Sequence, residues 1–210
     1  VSFLFDNDVT KIFHSCKEDL EAIYAWTNKV MTNLFDTQLA NAFLDSEYSI
    51  SYQGLVEKKL DIVLDKKETR SNWLRRPLSD AQLKYAALDV EYLIHLYSEQ
   101  KKELDHSNKL DWFNEDIKKL INFTFSSDLN SVEFVRTLTK AQENELLINF
   151  NKVIEKIAAK ENINVTLFFS KKAQKDFIRK VLIQGIENAF EGVTEWRKEL
   201  LHEDVVYLMK

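Results

Sequence analysis

Short apolar runs alternate with helical patterns in the first part of the chain. Apolar runs typical of buried strands stand at residues 11–14 and 33–35, and apolar side chains recur at helical spacing between and after them. The pattern predicts two strands and three helices, the helices at residues 18–26, 36–43 and 51–60. Strands alternating with helices predict an α/β domain, which we place at residues 1–125.

The clearest local signal is a helix start after Pro77. Ser79 and Gln82 form a capping-box pattern, in which the hydroxyl and the amide satisfy backbone donors at the helix start. The helix is expected to turn one apolar stripe to the core, consisting of Leu83, Ala86, Ala87, Val90, Leu93, Ile94 and Tyr97. Tyr85 and Asp89, four residues apart, are then neighbours on the flank of that stripe.

The second half of the chain shows helical patterns without strands. A helix is predicted at residues 111–125, followed by a polar linker at 126–134 and an all-α bundle at 135–210. Within the bundle we expect a capping box at Thr139 and Gln142 and later helices at residues 171–184, 194–201 and 203–209. Phe168, Phe169 and Trp196 are expected in its core.

Composition narrows the class of protein. Among 210 residues there are only 3 Gly and 1 Pro, which argues against all-β folds and glycine-rich phosphate loops. The single cysteine, Cys16, forms neither an internal disulfide nor a cysteine zinc site, and it favours a reducing, cytoplasmic location. The chain has no apolar run long enough to span a bilayer.

Basic residues form two clusters although the net charge is −5. The first cluster comprises Lys66, Lys67, Arg70, Arg75 and Arg76; the second comprises Lys171, Lys172, Lys175, Arg179 and Lys180. Each cluster alone is typical of a solvated face. In a protein that binds nucleic acid, each cluster would form a phosphate-binding surface. Trp73, beside the first cluster, either stacks on a base or anchors its loop.

Two carboxylates are candidates for chemistry. Asp19 lies in the first turn of a helix, where favourable interaction with the helix dipole explains an aspartate better than a functional role does. Asp89 lies inside a helix, where aspartate is unfavourable, and its position calls for a metal ion or a hydrogen-bond partner. His14, five residues before Asp19, either lies near the same site or is a histidine at a strand end bonded to the backbone.

Four segments carry a resemblance to ribonuclease D. They are residues 13–21 (FHSCKEDLE), 35–39 (FDTQL), 67–78 (KETRSNWLRRPL) and 85–93 (YAALDVEYL), in this order. Residues 139–210 resemble the C-terminal HRDC module of that family, and the segments 170–172 (SKK) and 196–201 (WRKELL) carry this resemblance. The fold implied is a ribonuclease H-like exonuclease domain, incomplete and mostly its helical part, followed by one HRDC-like bundle.

The resemblance implies a 3′–5′ exoribonuclease of the DEDD type, with four carboxylates holding two Mg²⁺ or Mn²⁺ ions. Asp19 and Asp89 match the carboxylates of the second and third motifs, and Tyr85 matches the tyrosine that orients the attacking water. Two hard cations and oxygen ligands suit an in-line phosphodiester displacement. The first motif, Asp-x-Glu, has no counterpart in the sequence, so we expect this chain to be inactive by itself and to bind metal weakly.

The implied partner is RNA with a free 3′ end, of the tRNA-precursor kind. Two other functions remain open. The chain could be an RNA-binding protein without catalysis, since the first motif is missing. It could also be a DNA-directed DEDD exonuclease, because the same fold serves enzymes that act on DNA.

Overall fold

The computed structural model describes residues 2–45, 47–64, 71–125 and 140–209 and, except at 123–125 and 140, their side chains. The chain divides into two compact units. The first unit comprises Val1–Asn41 and Ser49–Leu110, and the second comprises Ala42–Tyr48 and Asp111–Lys210. The predicted linker at 126–134 and the capping box begun by Thr139 lie outside the described residues, and the predicted domain boundaries stay a prediction.

The first unit combines a two-stranded sheet with helices. After a short 3-10 helix (Ser2–Phe5), its elements are β1 (Lys11–Phe13), α1 (Lys17–Thr27), β2 (Leu34–Asp36), most of α2 (Thr37–Leu44), α3 (Tyr52–Leu60), α4 (Asp80–Glu91) and α5 (Leu93–His106). The strands are parallel, with Ile12 opposite Phe35. The two strands and three helices predicted at residues 11–60 are confirmed to within two residues at either end.

The core of the first unit lies between α3, α5 and the sheet. Leu55, Val56 and Leu96 are fully buried there, and Ile12 of β1 packs against the same cluster. The apolar residues of α3 and α5 recur at helical spacing, so each helix buries one face. The position of α3 against α5 brings Tyr52, at the start of α3, to the junction of α4 and α5.

The prediction of a core-facing stripe on α4 is wrong for most of its residues. Ala86 and Ala87 are exposed, and Leu83, Val90 and Ile94 keep 53, 60 and 66 % of their surface accessible. Of the predicted set, only Leu93 is buried and Tyr97 partly buried. The buried side of α4 is instead the face of Tyr85, Leu88 and Tyr92, since these residues are all partly buried.

One side chain ends α4 and begins α5. The Tyr52 hydroxyl donates to the Leu88 carbonyl (3.0 Å) and accepts from the Tyr92 amide (3.1 Å). In an uninterrupted helix these two backbone groups would bond to each other, so the hydroxyl is inserted into the ladder at this point. The insertion explains why a continuous apolar pattern folds as two helices.

The second unit is helical in its described part. It contains α6 (Leu110–Phe125), α7 (Lys140–Lys160), α8 (Val165–Phe169), α9 (Lys171–Gln184), α10 (Ile186–Phe190) and α11 (Glu195–Leu208). The helices predicted at 194–201 and 203–209 are a single helix, α11. The short helices α8 and α10 were not predicted, because five residues carry too little periodicity. Gly185 ends α9 with a φ of 85°, a conformation that favours glycine.

Aromatic side chains fill the second core as predicted. Phe168 and Trp196 are 1 % exposed and Phe169 is 6 % exposed. The ring of Trp196 stacks on that of Trp112, with centroids 4.9 Å apart. These contacts tie α6, α8 and α11 together.

Candidate active site

Tyr85 and Asp89 lie one turn apart on α4, as the spacing predicts. The capping box that starts this helix is formed, with both the Ser79 hydroxyl and the Gln82 amide bonded to backbone. Gln53 of α3 donates from Nε2 to the Tyr85 hydroxyl at 3.3 Å. The Trp73 ring lies 5.8 Å from the Tyr85 ring, tilted by 54°. Tyr85 is therefore positioned by groups from two neighbouring segments.

Asp89 is exposed at the end of α4, beside the Tyr52 insertion. Desolvation raises the pKa of its carboxyl above the usual value. The negative charge of Asp89 also raises the pKa of the Tyr52 phenol, after the larger contribution of burial. Because the Asp89 carboxylate is partly desolvated, a cation close to it would stabilise its charged form.

Asp36, at the end of β2, fixes the turn that leads into α1. Its Oδ1 accepts from the amides of Ser15 (3.0 Å), Gln38 (2.8 Å) and Leu39 (3.1 Å), and its Oδ2 accepts from the Cys16 amide (2.7 Å). Ser15 has a φ of 64°, a conformation unfavourable for serine that the two bonds to this turn hold in place. The carboxylate is 3 % exposed and serves as a structural anchor.

Asp19 stands in the first turn of α1, three residues after Cys16. Its side chain is exposed, and its pKa is raised by desolvation and then by the charges of Glu18 and Asp36. Cys16 is fully buried, and burial together with Asp36 raises the pKa of its thiol. The thiol is thus a packing group, whereas the Asp19 carboxylate reaches solvent, as does that of the neighbouring Glu18.

A chain of contacts links the Asp36 turn to α4. His14 Nε2 donates to the Ile50 carbonyl (3.0 Å), and Nδ1 lies 2.9 Å from the Thr37 hydroxyl. The His14 ring also meets the Tyr52 ring edge-on at 5.8 Å. Burial lowers the pKa of His14. The bond to a backbone carbonyl confirms the alternative in which His14 is bonded to the backbone. Through Thr37 and Tyr52, His14 also connects the turn before α1 with the end of α4.

Arg75 and Arg76 line a cleft next to Trp73. The cleft has a volume of about 480 Å³, and its wall includes Ser79 and Gln82 at the start of α4. Both arginines are exposed, and Arg76 Nη1 donates to the Trp73 carbonyl at 2.8 Å. Trp73 is half-buried, so the anchoring role is realised through Tyr85. Lys66, Lys67 and Arg70 lie outside the described residues.

The predicted basic residues of α9 lie in the second unit. Lys171, Lys172 and Lys175 are exposed. Arg179 forms an ion pair with Glu143 at 3.1 Å, which makes it partly a structural residue. Lys180 is half-buried beside Gly192. The exposed part of the predicted surface is therefore its N-terminal half.

Three residues that organise the site were not predicted from the sequence. They are Asp36, Tyr52 and Gln53. Asp36 carried a usable signal, because an aspartate between a strand and a helix is a typical helix cap. For Tyr52 and Gln53 the decisive contacts are with α4, more than 30 positions away.

Asp36→Asn should weaken the first unit. The asparagine side chain keeps one oxygen for three of the amides, but its NH₂ group then faces the Cys16 amide, which loses its acceptor. We expect a loss of about 1–3 kcal/mol in the free energy of unfolding, the cost of one unsatisfied buried donor. Urea unfolding followed by circular dichroism measures it. Asp61→Asn is the matched control, since asparagine suits the left-handed conformation at Asp61; equal stabilities of the two variants would contradict the anchoring role.

Metal ligands are scarce in the described residues. Residues 2–45, 47–64, 71–125 and 140–209 contain no group of three or more His, Cys, Asp or Glu side chains placed to hold a metal ion. A single Mg²⁺ takes about six oxygen ligands, of which proteins typically supply one or two carboxylates. Asp19 and Asp89 alone do not fit the two-ion site that the resemblance implies.

Comparison with known proteins decides the family. Residues 2–105 match the family model described as 3′–5′ exonuclease. The chain is 35 % identical over 154 residues to ribonuclease D of Shewanella sp. (strain ANA-3), and 43 % identical over 118 residues to ribonuclease D of Pseudomonas paraeruginosa. Over residues 2–105 the chain belongs to the 3′–5′ exonuclease family, and the curated relatives that match it are named ribonuclease D. The matches cover 73 and 56 % of this chain, but only 40 and 31 % of those two relatives.

Solved structures give the same fold. The crystal structure of Escherichia coli ribonuclease D, described as an exoribonuclease involved in structured RNA processing, superposes with a TM-score of 0.58 and 21 % identity. The match covers 99 % of this chain and 56 % of the E. coli chain. NrnC of Brucella melitensis bound to pGG matches 65 % of this chain and 68 % of its own, with a TM-score of 0.54 and 25 % identity. NrnC is also solved with bound Mg²⁺. None of the described helices is long and apolar enough to cross a membrane.

Proposed function

We propose that this chain acts in 3′–5′ exonucleolytic hydrolysis of RNA. The observation that carries the proposal is the pair Tyr85 and Asp89, one turn apart on α4, with the phenol held by Gln53 and Trp73. The relatives named ribonuclease D support the reaction type.

Each of the three candidate residues has a role in the proposed reaction. Tyr85 accepts a hydrogen bond from Gln53, which orients the phenol toward an attacking water. Asp19 and Asp89 are both exposed to solvent, and each would supply oxygen ligands to a divalent cation, Mg²⁺ or Mn²⁺. Because these two carboxylates do not complete a site for two ions, we assign no step of the hydrolysis to a metal.

RNA phosphates are proposed to bind in the cleft of Arg75 and Arg76. The two guanidinium groups and the positive end of the α4 dipole, at Ser79, favour an anion at this place. Trp73 connects the cleft to Tyr85, so a strand held there passes close to the proposed nucleophile position.

Replacing both arginines should change how binding depends on salt. Each phosphate contact adds about 0.7 to the slope of log K against log salt for single strands, so Arg75→Ser with Arg76→Ser should lower the slope by about 1.4. Fluorescence anisotropy with single-stranded RNA, measured over a series of KCl concentrations, gives the slope. Lys102→Ser, an exposed change on α5, is the control and should lower the slope less. An unchanged slope in the double variant would remove the cleft from the proposed RNA path.

The second unit is proposed to be an HRDC-like bundle that binds RNA. Lys171, Lys172, Lys175, Arg179 and Lys180 form its proposed contact surface, with the exposed lysines at the start of α9 contributing most. The proposed substrate is RNA with a free 3′ end, of the tRNA-precursor kind. A cytoplasmic location, favoured by the single cysteine, stays a prediction.

Non-catalytic RNA binding is the second candidate function. It is favoured by the scarcity of metal ligands among the described residues. The two candidates differ in whether bound RNA is shortened.

The direction of shortening tests the proposal. We define the Shewanella chimera as ribonuclease D of Shewanella sp. in which this chain replaces the matching segment. The chimera, supplied with Mg²⁺ or Mn²⁺, should convert 5′-labelled RNA into a ladder of shortened products and release single labelled nucleotides from 3′-labelled RNA. A single-stranded DNA of the same sequence, as control, should be shortened more slowly. Binding of RNA without shortening would overturn the proposal and leave the second candidate.

A further inference from the structure

The side chain of Gln82 makes more hydrogen bonds than the capping box of α4 requires. Its Oε1 accepts from the Ser79 amide (3.0 Å) within the box, while its Nε2 donates to the Ser71 hydroxyl (2.9 Å) and the Asn72 carbonyl (3.2 Å). The residue is buried, with 6 % of its surface exposed, and both ends of its amide are hydrogen-bonded. Gln82 therefore fastens residues 71–77, called the cleft segment, to the first turn of α4.

The cleft segment carries the cationic groups of the cleft. Arg75 and Arg76 belong to it and line the wall. The segment is also hydrogen-bonded within itself. The Asn72 carbonyl accepts from the Arg75 amide (3.4 Å) in addition to Gln82, and Arg76 Nη1 donates to the Trp73 carbonyl (2.8 Å). A shift of the Asn72 carbonyl would therefore move the arginines and Trp73 together.

The cleft segment also contacts the candidate tyrosine. The Trp73 ring lies 5.8 Å from the Tyr85 ring. On α4 itself, Gln82, Tyr85 and Asp89 follow one another at spacings of three and four residues, so they lie along one side of the helix. The segment is thus held to α4 about one turn before the phenol, on the side of the helix that carries it. The Gln82 amide connects the arginine cleft with the surroundings of Tyr85.

We propose that Gln82 is a positioning residue, which fixes the cleft segment and thereby the place of Trp73 against Tyr85 and of the arginines in the cleft. Gln82 acts through these neighbours and takes no part in bond breaking. The consequence for the reaction rests on the proposed hydrolysis, whereas the position of the cleft segment is a property of the folded chain.

Gln82→Glu separates the two roles of the side chain. Glutamate at this third helical position still accepts from the Ser79 amide, since glutamate and glutamine both complete a capping box. An ionised carboxylate has no hydrogen to donate, so the bond to the Asn72 carbonyl is lost and two acceptors face each other. The helix start is kept, and the hold on the cleft segment is released.

Fluorine NMR of the full chain measures the position of the cleft segment. 5-Fluorotryptophan labels the four tryptophans, and the Trp73→Phe variant assigns the Trp73 resonance. We expect Gln82→Glu to shift that resonance and to leave those of the two tryptophans in the second unit in place. Gln174→Glu is the matched control. It loses a bond to the Phe169 carbonyl (2.9 Å) in the second unit and should leave the Trp73 resonance unchanged.

Steady-state kinetics of the Shewanella chimera measure the consequence for the reaction. We expect Gln82→Glu to lower kcat for RNA shortening about ten- to hundredfold, because a small misplacement of groups around a reacting centre has effects of this size. In a Trp73→Ala background the same substitution should lower kcat much less, since positioning through Trp73 is already lost there. A merely structural effect would lower kcat by the same factor in both backgrounds.

Two results would overturn the proposal. One is an unchanged Trp73 resonance in a Gln82→Glu chain that circular dichroism shows to be folded. The other is an equal loss of kcat in the parent and Trp73→Ala backgrounds. If the parent chimera shortens no RNA, the proposed hydrolysis fails, and a shifted Trp73 resonance then still supports Gln82 as the group that positions the cleft segment. The two failures are therefore distinguishable.

Discussion

Asp116→Ala is expected to destabilise the second unit by about 3–5 kcal/mol, the typical cost of removing one partner of a buried ion pair. Arg197 Nη2 lies 2.8 Å from Asp116 Oδ2, and both side chains are nearly buried, with 12 and 10 % of their surface exposed. The Asp116 carboxylate also accepts from the Trp196 indole at 3.1 Å. Alanine at 116 leaves a buried guanidinium without its counter-charge.

Hydrogen bonds to backbone carbonyls prevent the Arg197 side chain from turning into solvent. Its guanidinium also donates to the carbonyls of Leu167 (2.7 Å) and Phe168 (2.8 Å), which belong to α8. The ion pair therefore joins α6, α8 and α11, and its loss should destabilise the packing of all three helices. Hydrogen exchange of the α11 amides measures the opening free energy of the second unit separately from that of the first.

The matched control is a pair at the surface. Glu187 lies 2.8 Å from His202, but its side chain is 72 % exposed. Glu187→Ala should leave α11 exchange unchanged, because exposed pairs contribute little. Asp116→Leu combined with Arg197→Met should recover part of the lost stability, since a buried pair can be replaced by apolar side chains. A cost below about 1 kcal/mol for Asp116→Ala would place the pair among ordinary surface interactions.

Local signals in the sequence were sufficient for most of the elements. The capping box at Ser79, the apolar run of β1 and the regular spacing in α9 each depend on neighbours within one or two turns, and each prediction is confirmed. The candidate pair Tyr85 and Asp89 rests on the same kind of signal, a spacing of four on one helix. Its catalytic role stays a proposal.

Long-range contacts account for what the sequence did not predict. Periodicity shows that α4 has an apolar stripe, but it does not show which side the rest of the molecule covers. The core side is decided by α3, whose Tyr52 reaches the Leu88 carbonyl, and this contact spans 36 positions. The same contact divides α4 from α5 without any glycine or proline at the break. The role of Asp36 likewise depends on a turn 20 positions earlier.

Asp89→Asn is the second change with a large expected effect. In the Shewanella chimera it should lower the rate of RNA shortening by about 10²–10⁴, the range found when a group that stabilises charge or transfers protons at a reacting centre is lost. Asparagine keeps the shape of the side chain and removes its charge. Tyr85→Phe should lower the rate too, because the phenol that orients the water loses its hydroxyl.

Stability separates this effect from unfolding. The pKa of Asp89 is raised in the folded state, so its ionisation costs stability above the folded pKa, and this cost is absent below the unfolded pKa. Asp89→Asn should thus be as stable as the parent or more stable at neutral pH, and the difference should vanish at acidic pH. Asp80→Asn, an exposed change in the first turn of the same helix, is the control and should shorten RNA at the parent rate.

The most direct measurement is therefore the rate at which the Shewanella chimera shortens 5′-labelled RNA from its 3′ end, compared between the parent, Asp89→Asn and Asp80→Asn at equal protein stability. The account predicts a ladder of products for the parent and for Asp80→Asn, and almost none for Asp89→Asn. Equal rates for Asp89→Asn and the parent would contradict the assignment of Asp89 to the reacting centre.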